Sequence, residues 1–148
     1  MVNKLLYGIS TALKAKFEYF PVYADAVEQG LSEPCFFVLP ISSSEQKLLD
    51  RRAFRDVSFD VHFISHEKRE KLEVLASELY PLLRRITLLD GSQVNGLDLH
   101  HEIIDGVLHF FVRFKVVIKY PAESVDMQEI LQQVLGVKDE KESNWAAI

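Results

Sequence analysis

The sequence has little cysteine, no long apolar run and no excess of positive charge. Cys35 is the only cysteine among 148 residues, so one chain cannot close an intramolecular disulfide and a reducing compartment is expected. Its neighbours in the sequence are apolar. This setting predicts a buried small side chain, because a reactive thiol needs a basic and half-exposed environment.

Membrane-spanning and sorting signals are also missing. No apolar run approaches the roughly 20 residues that cross a bilayer. The longest candidate, 107–120, is interrupted by four charged or ionisable side chains: His109, Arg113, Lys115 and Lys119. The N-terminal segment lacks the layout of a signal peptide, since Lys14 and Lys16 interrupt its apolar part. We expect a cytoplasmic product without membrane contact.

Positive charge is in the minority. The chain has 17 Lys and Arg against 22 Asp and Glu, a formal net charge of −5 at pH 7. Binding of nucleic acid usually needs a basic surface. The balance therefore argues against specific DNA binding, although it permits a surface past which DNA slides.

The motifs of common catalytic and cofactor sites are absent. Ser42, Ser43 and Ser44 lack the flanking glycines of a nucleophile elbow. All six glycines are isolated, which excludes a phosphate-binding loop. The five histidines show no zinc spacing. Asp90-Gly91 and Asn95-Gly96 predict turns. We therefore predict no catalytic, metal or cofactor site.

Length and composition suit one globular domain over 1–148. A chain of this size buries roughly 68–70% of its unfolded surface, and its apolar share of 48% is ordinary. The predicted class is α+β: a mixed, mainly antiparallel sheet of four or five strands, two main helices on one face, and a short C-terminal helix.

Helical periodicity occurs in two segments. Apolar residues at spacings of three and four predict a first helix, carried by Leu5, Leu6, Ile9, Leu13 and Phe17. Asn3 is its candidate N-cap and Pro21 ends it. The second helix is predicted from a leucine stripe, with Ser65 as N-cap and Pro81 as the cause of a kink or early stop.

Three strands are predicted between the two helices. A short strand over 22–27 precedes a turn at Gln29-Gly30, and the apolar run 34–41 suits a strand covered on both faces. Alternation over 57–63 predicts a strand with one buried face. The polar segment 42–52 between the last two predicts a long hairpin with a projecting tip.

A second hairpin is predicted from Asp105-Gly106, a strong two-residue turn signal. Counting from the turn sets Ile104 opposite Val107, and His101 opposite Phe110. The same register pairs Leu99 with Val112, Leu97 with Phe114, Glu102 with His109 and Asp98 with Arg113. On this register His101 lies on the apolar face, where a hydrogen-bonded core histidine is expected.

The C-terminal region is predicted to hold a short helix over 127–135, closed by Gly136. The tail 137–148 then ends with Trp145 and is expected to stay mobile or to dock on a partner. Near the first hairpin tip, basic residues are concentrated. The candidate protein interface comprises Lys47, Arg51, Arg52, Arg55 and Trp145; a solvated tip is the alternative interpretation.

Three segments of the sequence resemble one protein family. They are 27–37, which contains Glu33-Pro34-Cys35-Phe36-Phe37, then Phe59-Asp60-Val61-His62, and 105–112, which begins Asp105-Gly106-Val107. Together they resemble the tail terminator family of tailed bacteriophages and prophages, especially those of Gram-positive hosts. The resemblance extends from about Leu5 to Tyr120, and nothing after Tyr120 contributes to it.

The resemblance implies a structural role without catalysis or a cofactor. Such proteins form a six-fold ring on the head-proximal end of the tail tube, stop tube growth and present a surface for head–tail joining. The implied partners are copies of the chain itself, the tail tube protein, the head–tail connector protein and, in a contractile tail, the sheath protein. The resemblance also implies that genomic DNA passes through the lumen without specific binding. It further implies that the chain belongs to the virion tail after assembly in the host cytoplasm.

Three other interpretations stay open from the sequence. A neighbouring head–tail connector or tail completion protein shares the size and the ring habit. A small enzyme acting through Glu102 and His109 requires a pocket around those side chains. A monomeric adaptor domain requires that the protein stay monomeric at every concentration.

Overall fold

The computed structural model describes residues 1–24 and 31–122. Several sequence predictions therefore lie outside the described residues: the turn at Gln29-Gly30, the helix over 127–135 and the tail 137–148 with Trp145. The predicted strand over 22–27 is described only as far as Ala24.

Two helices and six strands make up the described residues. In chain order they are α1 (Val2–Lys16), β1 (Val22–Tyr23), β2 (Cys35–Lys47), β3 (Arg52–Ile64), α2 (Arg69–Leu83), β4 (Arg85–Thr87), β5 (Gln93–Ile104) and β6 (Val107–Lys119). The protein is therefore α+β. The prediction of four or five strands falls below the six that are present, because β4, with three residues, is too brief to show periodicity.

The strands form one mixed sheet in the order β1-β2-β3-β6-β5-β4. β1 pairs with β2 in parallel, whereas β4–β5 and β5–β6 are antiparallel. β2 and β3 are also antiparallel, because the short connection between them is too brief for a parallel crossover. Both strands at the sheet edges, β1 and β4, are short.

Helix α1 forms where the apolar spacing predicts it. Leu5, Ile9 and Leu13 are fully buried along one face, and each contributes roughly 1.5–3 kcal/mol of burial free energy. Lys14 and Lys16 lie in the last turn, where positive charge suits the helix dipole. The N-cap is Met1, so the prediction of Asn3 is wrong: the helix begins two residues earlier than predicted, and Asn3 lies inside it.

Helix α2 begins later than predicted. Its N-cap is Lys68, and Ser65 instead accepts a hydrogen bond from the Glu67 N–H at 3.2 Å. Ser65 thus closes a turn ahead of the helix, which explains the wrong cap prediction. Pro81 lies inside the helix, which ends two residues later at Leu83.

The hydrophobic core lies between the two helices and one face of the sheet. Its helical members include Leu5, Ile9, Leu72 and Leu79. The members from the central strands alternate along each strand: they are Val57, Phe59, Val61 and Phe63 of β3, and Leu108, Phe110, Val112 and Phe114 of β6. Cys35 is fully buried as predicted, and burial raises the pKa of its thiol, with a further contribution from the negative charge of Glu33.

The first hairpin is more regular than the polar composition of 42–52 indicates. Strand β2 continues through the three serines to Lys47, and β3 begins at Arg52. The Leu48 N–H donates to the carbonyl oxygen of Arg52 at 2.8 Å, and the Arg52 N–H donates to that of Leu49 at 3.3 Å. Asp50 and Arg51 both have positive φ, as the two central residues of a type I′ turn do.

The second hairpin has the predicted turn and the predicted register near it. Ile104 pairs with Val107, Glu102 with His109, and His101 with Phe110. The register then shifts between Leu97 and His100. Beyond this bulge Leu97 pairs with Arg113 and Gly96 with Phe114, so the predicted pairs Leu97–Phe114, Leu99–Val112 and Asp98–Arg113 are wrong.

The bulge has a local cause. Asp98 has a φ of 52°, a conformation that aspartate tolerates better than most residues. One extra residue in β5 turns Gly96 inward, towards the end of α2. Gly96 is therefore a buried strand residue, and the turn predicted at Asn95-Gly96 is absent, whereas Asp90-Gly91 does lie in a turn.

Residue contacts divide the chain into two compact units. One comprises Met1–Gln46 and Phe54–Val117, and the other comprises Lys47–Ala53 and Ile118–Ile148. The core belongs to the first unit. Among the described residues, no helix has the length and apolarity needed to cross a membrane.

Candidate functional site

The sheet presents a second face opposite the core, here called the outer face. Because successive side chains of a strand point to opposite sides, the residues between the core positions of β3 and β6 project from it. Those of β3 include Asp56, Asp60 and His62, and those of β6 include His109, Phe111 and Arg113. At these positions the outer face is therefore polar and aromatic.

A cluster of one carboxylate and two imidazoles lies on this face. Asp60 Oδ2 is 2.8 Å from His62 Nε2 and 3.1 Å from His109 Nδ1. The two imidazole rings meet edge to face, with centroids 4.3 Å apart. Asp60 and His62 share a face because they are two residues apart in β3, and β6 brings His109 in as the next strand of the sheet.

The Asp60 carboxyl is ionised and nearly enclosed. Burial raises its pKa, but the hydrogen bonds from His62 and His109, with their charges, outweigh burial and leave the pKa below its ordinary value. An ionised carboxylate only accepts hydrogen bonds. Both histidines therefore donate to Oδ2, His62 through Nε2 and His109 through Nδ1.

The other carboxylate oxygen of Asp60, Oδ1, is buried and has no hydrogen-bond partner within the described part of the chain. Asp60 is 8% exposed, and among the described residues its Oδ1 is the buried side-chain atom that has no hydrogen-bond partner. Buried polar atoms are nearly always paired, since a buried acceptor without a donor costs about 1–3 kcal/mol. The hydrogen bonds of the cluster thus leave one oxygen unsatisfied.

Aromatic rings surround the cluster. The Phe37 ring lies 6.4 Å from the His62 ring, and Phe111 lies 6.3 Å from His109 at an interplanar angle of 13°. His100 also stacks on Phe111, with centroids 4.8 Å apart. The apolar rings limit the access of water to the imidazoles and fix their orientation.

A second polar group on the outer face is centred on Arg113. Its guanidinium donates to Asp98 Oδ2 at 2.8 Å and to Asp56 Oδ1. These hydrogen bonds, first that of Asp56 and then that of Asp98, raise the pKa of Arg113. Although the predicted register does not hold at Asp98, the predicted contact of Asp98 with Arg113 forms because the long arginine side chain spans the bulge.

The basic residues of the candidate interface differ in their contacts within the protein. Arg55 donates to Glu45 Oε1 through Nε at 3.0 Å and through Nη2 at 2.7 Å. Arg51 Nη1 donates to the carbonyl oxygen of Tyr120 at 3.2 Å. Arg52 and Lys47 are exposed. Arg55 therefore forms an ion pair with a carboxylate of its own hairpin. Trp145, the last residue of the candidate interface, lies outside the described residues.

His101 forms the hydrogen bonds expected of it. Its Nδ1 is 2.7 Å from the Tyr80 hydroxyl and its Nε2 is 2.7 Å from Glu73 Oε1. Burial, and secondarily the charge of Glu73, raises the pKa of Tyr80. This network joins α2 to β5 on the core side of the sheet.

Glu102 and His109 do face each other across the hairpin, as the open enzyme interpretation requires. His109, however, directs Nδ1 towards Asp60, and Glu102 is exposed. An apolar groove of about 380 Å³ contains neither residue. Its lining comes mainly from α2, with further residues from the segment after α1, the segment before β2, and β3. The lining includes Phe17, Phe20, Pro34, Phe63, Leu72 and Leu75.

The sequence patterns did not single out Asp60 as a candidate site residue. The alternation over 57–63 in the sequence already places Asp60 and His62 on one face of the predicted strand. The missing information was that β6, some 50 residues away in the chain, is the strand next to β3. Without that neighbour, His109 had no reason to be grouped with them.

Comparisons with known proteins indicate one family. A family model described as "Phage tail terminator protein" matches residues 4–126. No curated protein matches the chain. One solved structure is similar at 16% sequence identity, over 81% of this chain and 94% of that chain, with a TM-score of 0.44. That likeness is too distant to carry an argument.

Proposed function

Since this chain belongs to the phage tail terminator family, we propose that it caps the head-proximal end of the tail tube as a ring, expected to be six-fold, and stops tube polymerisation there. The match over residues 4–126 carries this proposal because it spans almost all the described residues. Membership of the family gives the chain a structural role in the phage tail and contacts with other tail or head proteins.

The open sides of the sheet support ring assembly. β1 pairs only with Phe36 and Phe37 of β2, and β4 pairs only with Gln93–Asn95 of β5. Along the described residues, the rest of β2 and the rest of β5 have no paired strand on the edge that points away from the centre of the sheet. Unpaired backbone groups invite strand addition, and two different edges can form the head-to-tail contacts that close a ring.

The charge balance supports a lumen that lets DNA pass. Six copies, each with −5, carry a formal net charge of −30. An acidic wall repels phosphates and keeps genomic DNA from adhering. The basic residues of the first hairpin then face protein rather than the lumen. We assign Lys47, Arg51 and Arg52, with Arg55 and Trp145, to a protein contact.

The proposed partners follow from the position of the ring. They are copies of the chain, the tail tube protein and the head–tail connector protein, with the sheath protein added if the tail is contractile. The chain is a component of the virion tail, and we place its synthesis and assembly in the host cytoplasm. The neighbouring candidate is a connector or tail completion protein, which acts after the tube has reached its length.

Negative-stain imaging of a phage that lacks the gene separates these candidates. Loss of a terminator leaves the tube free to grow, so we expect overlong tubes on unjoined tails, with normal lengths restored by a plasmid copy of the gene. Tubes of normal length beside filled but unjoined heads would contradict the proposal and indicate a joining protein. A monomeric adaptor predicts neither defect.

A further inference from the structure

The Asp60–His62–His109 cluster combines ligands that metal ions use. One ligand atom from each residue, a carboxylate oxygen and two ring nitrogens, lies within 4.8 Å of the others. We propose that these three side chains bind one divalent transition-metal ion of the Zn²⁺ class on the outer face of the sheet. The proposal goes beyond the tail terminator role, and the sequence motifs predicted no such site.

The ligand spacing is close to what a tetrahedral ion requires. Zinc lies about 2.0–2.1 Å from nitrogen and oxygen ligands, which places neighbouring ligand atoms of a tetrahedron roughly 3.3–3.4 Å apart. The carboxylate oxygen already lies 2.8 Å from one ring nitrogen and 3.1 Å from the other. The two ring nitrogens lie within 4.8 Å of each other. On binding, the ion takes the place of the two ring protons that donate to Oδ2, and each proton moves to the other ring nitrogen or to solvent.

The unsatisfied oxygen of Asp60 provides a second, independent reason. Both hydrogen bonds of the cluster end on Oδ2, while Oδ1 is buried and has no partner among the described residues. A carboxylate that binds a cation through both oxygens satisfies both of them. The cluster is therefore incomplete as a hydrogen-bonded group and becomes complete around an ion.

The donor set selects the class of metal. Imidazole suits zinc, cobalt, nickel and copper, whereas magnesium and calcium prefer sites built from oxygen. When the carboxylate, bound through both oxygens, is counted as one position of a tetrahedron, the three side chains leave a fourth position, which water fills. The side chains of His62 and His109 are 20% and 19% exposed, so the site is accessible from solvent without being open.

A bound ion would tie two central strands together. Asp60 and His62 belong to β3, and His109 belongs to β6, which adjoins β3 in the sheet. An ion that binds the folded state and not the unfolded state adds stability in proportion to the logarithm of its concentration over its dissociation constant. Metal addition should therefore raise the thermal unfolding midpoint as well as saturate a binding curve.

The test uses the full-length protein without a polyhistidine tag, stripped with a chelator and titrated with Co²⁺. We expect visible absorption bands that saturate at one equivalent per chain and disappear when Zn²⁺ displaces the cobalt. Zn²⁺ should also raise the unfolding midpoint. Failure of the unmodified protein to bind one equivalent overturns the proposal, whatever the variants do.

Matched variants assign the site. The double variant His62→Gln, His109→Gln keeps polar side chains of similar size and should weaken Co²⁺ binding more than tenfold. His66→Gln is the control, because His66 is 95% exposed and lies 3.3 Å from Glu33, outside the cluster. Wild-type affinity in the double variant, or loss of binding in the control, overturns the assignment.

Should the double variant fail to fold, the single change Asp60→Asn replaces it. Asparagine keeps the shape of the carboxylate but removes its charge, and the binding affinity should again fall more than tenfold. Unchanged affinity would contradict the proposal. None of these results bears on tail length, so failure of the metal site leaves the proposed function intact.

Discussion

Gly96 is a position where the fold tolerates no side chain. A Cβ atom there would clash with the carbonyl oxygen of Leu83, and it would lie 2.9 Å from a methyl group of Val112. The Gly96 N–H also donates to the carbonyl oxygen of Arg84 at 2.7 Å. This close approach fastens the end of α2 to β5.

We predict that Gly96→Ala destabilises the protein by about 3 kcal/mol, at the upper end of the usual cost of overpacking. The obstructing atom belongs to the backbone, so a side-chain rotation cannot relieve the clash. Urea denaturation followed by circular dichroism measures the change. An unfolding midpoint equal to that of the unmodified protein would show that the helix end can move away.

Gly8→Ala is the matched control for this prediction. Gly8 lies in α1, and its Cβ would lie 3.0 Å from Ile86 Cδ1, 3.2 Å from Leu88 Cδ2 and 3.2 Å from the carbonyl oxygen of Thr87. The two nearest atoms are flexible side-chain ends, and alanine gains roughly 1 kcal/mol of helix propensity over glycine. We expect a net change of less than about 1 kcal/mol, well below that of Gly96→Ala.

Individual residues were predicted well where their environment is local. The buried Cys35 and the hydrogen-bonded His101 follow from their neighbours in sequence and from the register near a turn. Asp60, His62 and His109 could not be grouped in that way, because their contact depends on which strands are neighbours. The same limit applies to the partner of Arg55, whose ion pair with Glu45 needs the first hairpin to be drawn correctly.

At the scale of elements, the two hairpins show what turn chemistry predicts. Asp105 and Gly106 have φ of 50° and 79°, and Asp50 and Arg51 have φ of 60° and 58°. Both tips are therefore two-residue turns with left-handed residues, but only the first pair carries the glycine that signals such a turn. The sequence consequently predicted a hairpin with a projecting tip within the polar segment 42–52, but it did not identify Asp50-Arg51 as the turn.

Charge reversal at the first tip tests its role as a protein contact. We predict that the double variant Arg51→Glu, Arg52→Glu assembles poorly on tails, because like charges across a protein interface cost several kcal/mol. The readout is the fraction of tails joined to heads and the infectivity when the variant complements a phage without the gene. Thermal unfolding of the purified variant should stay close to that of the unmodified protein.

The charge-conserving variant Arg51→Lys, Arg52→Lys is the control. It loses the guanidinium hydrogen bond from Arg51 to Tyr120 but keeps both positive charges, so assembly should be near normal. Normal assembly of the glutamate variant would exclude the tip from any charged contact. Equal defects in both variants would assign the effect to the lost hydrogen bond within the protomer.

At the scale of the whole molecule, the open edge of β5 is the most accessible test of ring closure. Ile104 and Val107 flank the two-residue turn and form a hydrogen-bonded pair. In an antiparallel ladder such pairs alternate with pairs that share no hydrogen bond. The backbone N–H and carbonyl of Ile103 therefore point away from β6, towards the open edge.

Ile103→Pro removes this outward N–H without removing a hydrogen bond of the hairpin, and edge strands accept proline. We predict that this variant folds but fails to close a ring, so that complemented phages produce overlong tubes. Ile103→Ala loses the same half-buried side chain and keeps the N–H, and it should restore normal tail length. The two variants differ mainly in one backbone donor, the N–H of residue 103. If both variants give tails of normal length, strand addition at β5 does not close the ring, and the open edge of β2 becomes the candidate for the closing contact.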